Sequence, residues 1–96
     1  MTLEPDNAEV LNNLAWLYAT CENEQLRDPN RALAMATLAV KLENLPHIWD
    51  TLAESYYMNK MYSQAVEAGR KALELARENR GYYEDQLEKF KAAGGF

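Results

Sequence analysis

The chain has 96 residues, 48% of them apolar and 26% charged, with four glycines and three prolines. That composition is enough for one modest hydrophobic core and excludes a disordered or collagen-like chain. A net charge of −5 argues against nucleic acid as a partner, and no stretch approaches the roughly 20 apolar residues that membrane insertion requires. Val10, Val40, Val66 and Ile48 are the only valines and isoleucines in a sequence rich in Ala, Leu, Glu and Lys, a balance that favours helix over sheet. The single Cys21 has no intramolecular partner and suits a reducing compartment such as the cytoplasm.

Five helices are predicted. Asp6 is placed to cap the first, with Glu9 three residues on as the other half of a capping box. Leu11, Leu14, Ala15 and Tyr18 then recur at helical spacing toward an end near Cys21. A polar loop runs from Glu22 to Arg27. Asp28-Pro29 opens the second helix, Asp as cap and Pro in the first turn. Leu33, Ala36, Ala39 and Val40 carry it to about Glu43. The third helix runs from about Pro46 to Asn59 on Ile48, Trp49, Leu52, Ala53 and Tyr56. The fourth spans about Tyr62 to Asn79, with a small-residue face of Ala65, Val66, Gly69, Ala72 and Ala76. Gly69 inside it costs about 1 kcal/mol relative to Ala. Gly81 marks a break. A last helix, about Tyr82 to Ala93, sets Tyr83, Leu87 and Phe90 against Glu84, Asp85, Glu88, Lys89 and Lys91, and Gly94-Gly95 ends it.

Internal similarity is the strongest signal. Trp49-x-x-Leu52-Ala53-x-x-Tyr56, followed by Ala65 and Ala72, parallels Leu11-x-x-Leu14-Ala15-x-x-Tyr18, followed by Ala32 and Ala39. Nine positions separate Tyr56 from Ala65 and fourteen separate Tyr18 from Ala32. The longer spacing falls in the polar loop after Cys21, where an insertion does least harm. On these residues the chain resembles the tetratricopeptide repeat family, with large residues on one helix set against small ones on the next. The second unit departs from that pattern at Gly69, where the family has an aromatic, and at Arg77, where it has Pro. The first has Leu11 for Trp and Ala36 for the aromatic.

The resemblance implies an all-α fold: two tetratricopeptide-type helix-turn-helix repeats plus a C-terminal capping helix, a fragment of a right-handed α-solenoid. The whole chain, 1–96, reads as one domain, with repeat one about 8–45, repeat two about 46–79 and the capping helix about 82–93. Leu3-Glu4-Pro5-Asp6-Asn7 looks like the tail of a preceding repeat, so the expectation is the C-terminal part of a longer array.

No catalytic constellation is legible. His47 is the only histidine, no Cys-x-x-Cys accompanies Cys21, no Gly-x-Ser-x-Gly surrounds Ser55 or Ser63, and no Gly-rich loop could hold a phosphate. Neither an enzyme, nor a metal site, nor a cofactor is expected. In the resembled family the first helix of each unit lines a concave groove. The positions offset from the packing stripe are Glu9, Asn12, Asn13, Trp16 and Thr20 in the first unit, and His47, Asp50, Thr51, Glu54, Tyr57 and Met58 in the second. Asn13 matches a position where the family uses Asn to bond a ligand backbone. Trp16 fits equally as groove wall or as core, Tyr57 also has a reading as packing against neighbouring helices, and carboxylates such as Asp50 and Glu54 are more often ordinary surface charges. With Glu9, Asp50 and Glu54 and no Lys or Arg on the stripe, the expected function is a protein–protein interaction scaffold that takes a basic or apolar segment. The alternative is a homo-oligomerisation module.

Overall fold

The computed structural model describes residues 7–95. They form five helices and, among the described residues, no strand: α1 Ala8–Thr20, α2 Pro29–Leu42, α3 Pro46–Met58, α4 Tyr62–Leu75 and α5 Arg80–Gly94.

The helix ends are set by local chemistry. Asn7, not Asp6, caps α1: its side-chain oxygen accepts from the Val10 amide at 3.1 Å. Asn caps as well as Asp, so a shift of one residue costs nothing; Asp6 lies outside the described residues. Arg27 Nε donates to the Cys21 carbonyl at 2.8 Å, placing a cation at the negative end of α1. Asp28 caps α2 through the Arg31 amide at 3.1 Å, with Pro29 in the first turn. After α3 the chain closes a Schellman turn. Lys60 takes the left-handed conformation, φ 62°, its amide bonds the Tyr57 carbonyl, and the Met61 amide bonds the Tyr56 carbonyl.

Helix α4 ends four residues before the expected Asn79, and the break does not fall at Gly81. Asn79 itself adopts the left-handed conformation, φ 57°, which Asn enters more readily than most other non-glycine residues. Arg80 then reaches back to the carbonyls of Leu73 and Ala76 at 3.0 and 2.9 Å. Gly81 is left in the first turn of α5, which therefore begins two residues earlier than its pattern suggests. Gly95, at φ 77°, ends α5, close to where Gly94-Gly95 was expected to stop it.

Successive helices pack antiparallel. Ala8 and Leu11 at the start of α1 share a cluster with Ala39 near the end of α2. The Asn59 side chain after α3 donates to the Pro29 carbonyl that opens α2, at 2.8 Å. Trp49 near the start of α3 packs with Ala72 and Ala76 at the end of α4. As a result α1, α3 and α5 run in one direction, and α2 and α4 in the other. The body is shallow, 18 Å in its thinnest dimension, which holds two layers of helices at the usual 8–10 Å separation.

Alanine makes this closeness possible. Ala15, Ala36, Ala53 and Ala65 are wholly buried in the main core with Leu52, Val66, Leu87 and Phe90. Ala15 and Ala53 thus sit at the close contacts that the paired motifs suggest. Phe90 of α5 fills the space beside Gly69. A Cβ there would stand 3.1 Å from the Phe90 ring and 3.5 Å from Leu87, so the aromatic bulk comes from α5 rather than from α4 itself.

Phe90→Ala is expected to cost about 3–5 kcal/mol, because it empties a fully buried site, and Gly69→Val about 1–3 kcal/mol by overpacking. Urea denaturation measures both. In hydrogen exchange, each variant is expected to lose protection in α5 before α1 and α2.

Candidate functional site

The parallel helices α1, α3 and α5 lie side by side and leave a cleft of about 470 Å³. Six of the eleven residues picked from the sequence converge on it: Asn12, Asn13 and Trp16 from α1, and His47, Asp50 and Thr51 from α3. Leu17 completes the α1 wall, and Tyr82 and Tyr83 of α5 form the opposite one. Glu9 stands beside it, its Oε1 2.8 Å from His47 Nε2, joining the first turns of α1 and α3.

The other four are placed elsewhere. Thr20 donates its hydroxyl to the Trp16 carbonyl at 2.7 Å and does not line the cleft. Glu54, Tyr57 and Met58, on the C-terminal half of α3, do not line it either. Glu54 is held by Lys89 Nζ at 2.9 and 3.0 Å and by Gln86 Nε2 at 3.3 Å. The Tyr57 ring lies 5.5 Å from Phe90 and 6.0 Å from Tyr62, with the Lys89 ammonium 4.7 Å above it. Met58 is half-buried. Lys89, assigned from sequence to the polar outer face of the last helix, instead turns inward. It supplies the base that the α3 stripe lacks. Tyr82, Gln86 and Lys89 follow the i, i+4, i+7 spacing of one helix face, and that periodicity is the signal that could have found them.

The floor of the cleft is polar and deeply set. Asp50 is 4% exposed. Its carboxylate accepts from the Tyr82 hydroxyl at 2.8 Å and from Gln86 Nε2 at 3.1 Å. Burial raises its pKa above the ordinary 3.8, as does the nearby Glu54; the bonds from Tyr82 and Gln86, and the Lys89 charge, oppose the rise. The Tyr82 phenol is pushed above its usual range by burial and by donating to Asp50. Thr51 donates to the His47 carbonyl at 3.1 Å. Asn12 is 7% exposed, and its Oδ1 is buried without a hydrogen-bond partner among the described residues. An unmet acceptor of this kind costs about 1–3 kcal/mol. Among the described residues no three His, Cys, Asp or Glu side chains gather as a metal site would need, and no helix is long and apolar enough to cross a membrane. The cleft offers hydrogen-bond acceptors, one buried negative charge and aromatic walls, which suits recognition.

Comparison with protein-family models, with curated proteins and with solved structures finds no match. Among the described residues the fold is all-helical, with five helices.

Asp50 makes a pH prediction with a definite sign. Its folded pKa lies above 3.8, so between the two values the folded state holds more proton than the unfolded state. Stability from this group is therefore greatest below that range and falls as pH rises through the folded value. Asp50→Asn keeps an acceptor for Tyr82 and removes the buried charge. It is expected to be as stable as the wild type at neutral pH or more so, and to flatten the decline that begins near 3.8. Thermal melts at a series of pH values, wild type beside variant, measure this.

Proposed function

We propose that the chain is a tetratricopeptide-type scaffold, two helix-turn-helix repeats and a capping helix in a right-handed α-solenoid, that holds a segment of another protein. The observation that carries this reading is the cleft: parallel helices α1, α3 and α5 place Asn12, Asn13, Trp16 and Asp50 around one concave opening. The alternation of helix direction and the buried pair Ala15 and Ala53 support the repeat assignment. On this reading α5 covers the open side of the second repeat, turning Glu84, Asp85 and Glu88 to solvent. The ligand is a basic or apolar segment. No reaction is assigned.

A second reading has an observation of its own. Leu17 and Leu26 are 60% and 63% exposed, and with Leu14, Tyr18 and Cys21 they line an apolar hollow of about 320 Å³ at the outer edge of α1. Such a surface promotes self-association, and a second copy joined there would make the chain an oligomerisation module.

Two measurements separate these readings. Panning a random peptide library on the wild type, and on Asn13→Ala and Trp16→Ala variants with unchanged circular dichroism, tests the cleft. Sequences that bind the wild type at least about tenfold more tightly than either variant are expected, the loss that a contact residue in a hydrophobic pocket gives. Equal binding to all three moves the site off the cleft. Light scattering across the micromolar range tests the edge: a dimer that Leu26→Glu returns to monomer establishes the second reading, and a monomer throughout removes it.

A further inference from the structure

We infer that the cleft is a seat for the guanidinium of an arginine side chain carried by the bound segment, with Asp50 as its counter-charge and Trp16 and Tyr82 as its walls. The inference rests on the cleft being the binding site and names the chemistry that the site selects.

The floor of the cleft is made of acceptors that lack a cationic donor. Asp50 receives two hydrogen bonds, both from neutral groups, Tyr82 and Gln86. A carboxylate has about four acceptor positions, so capacity remains. Asn12, on the same wall as Trp16, has a buried oxygen with no donor among the described residues. Among the described residues no Lys or Arg lines the cleft. The nearest base, Lys89, is committed to Glu54 and lies over the Tyr57 ring. At the other end Glu9 already holds His47. Among the described residues Asp50 is thus a buried anion without an ion-pair partner of its own, and a cation arriving from outside would supply one.

The walls point the same way. Trp16 faces the cleft from α1, and Tyr82 and Tyr83 from α5, the two tyrosine rings edge-to-face at 5.2 Å. Aromatic faces attract cations, Trp most strongly. Among biological cations the guanidinium fits best. It is planar, so it stacks between rings; it is weakly hydrated, so burial costs it less than an ammonium. Its five N–H groups can serve Asp50 and the Asn12 oxygen together. An acidic side chain would be repelled by Asp50. An apolar one would fill the cleft but cut the remaining acceptor positions of Asp50 and the Asn12 oxygen off from water without a further donor, which is unfavourable.

The test uses the whole chain, isotopically labelled, titrated with acetyl-Gly-Arg-Gly-amide and followed by NMR. Three peptides of the same length, with citrulline, leucine or glutamate in the central position, are run beside it. Citrulline keeps the shape of arginine and removes its charge. The arginine peptide is expected to shift the Trp16 indole N–H and the Asn12 side-chain amide, leaving the Trp49 indole, which donates to Asn44, unmoved. Asp50→Asn is expected to weaken that binding roughly tenfold, the effect of losing one charge-assisted hydrogen bond. Citrulline matching arginine, or Asp50→Asn binding arginine as tightly as the wild type, overturns the inference. Leucine shifting the same signals more strongly also overturns it while leaving the cleft a peptide site. If no peptide moves these signals the guanidinium seat is lost, and the library result then decides alone whether the wider reading survives.

Discussion

The contact between Phe90 and Gly69 governs how this chain closes. The ring is fully buried, and its edge lies 3.1 Å from the point where a side chain at position 69 would begin. Even an alanine there would require the ring to give by a few tenths of an ångström, and a larger side chain would require more. Because the glycine gives way, α5 lies close enough for Tyr83 and Leu87 to join the core, and for Tyr82, Gln86 and Lys89 to reach across to α3. The helix-weakening effect of Gly69, about 1 kcal/mol, is offset by the burial of an aromatic side chain, which stabilises by about 1.5–3 kcal/mol.

That docking has an electrostatic consequence. Helix α3 carries Asp50 and Glu54 one turn apart on the face that α5 approaches, and burying two acids together is unfavourable unless each is bonded. The two are treated differently. Glu54 acquires a full ion pair with Lys89. Asp50 receives only the neutral donors Tyr82 and Gln86, and burial raises its pKa. The difference divides the α3 stripe: its C-terminal half is sealed beneath α5, and its N-terminal half stays open to the cleft with an unpaired charge at its floor.

Much of the fold could be read from the sequence because it rests on local rules. Asp28-Pro29 and Gly95 act within a turn of themselves, and the helical spacing of Ala15, Leu52, Ala53 and Phe90 places each on a buried face. The readings that failed depended on competition between neighbours. Asn7 and Asp6 are comparable caps, and the local pattern does not rank them. Gly81 resembles a break, but it is Asn79 that takes the left-handed turn, and Arg80 beyond it bonds the end of α4.

For the candidate site, the sequence by itself determined which residues share a face of α1 and of α3, since helical periodicity fixes direction around a single axis. Helical spacing puts Asn12, Asn13 and Trp16 on one side of α1 and His47, Asp50 and Thr51 on one side of α3, whereas the expectation that those sides line a groove comes from the family resemblance. Only the tertiary structure decided where α5 would lie, and therefore that Glu54 and Tyr57 would be covered, that Lys89 would turn inward, and that Tyr82 and Tyr83 would complete the wall. The physical reason is range. A helix's periodicity is written in residues three and four apart, whereas the pairing of Asp50 with Tyr82, or of Gly69 with Phe90, joins positions distant in the chain through the packing of whole helices.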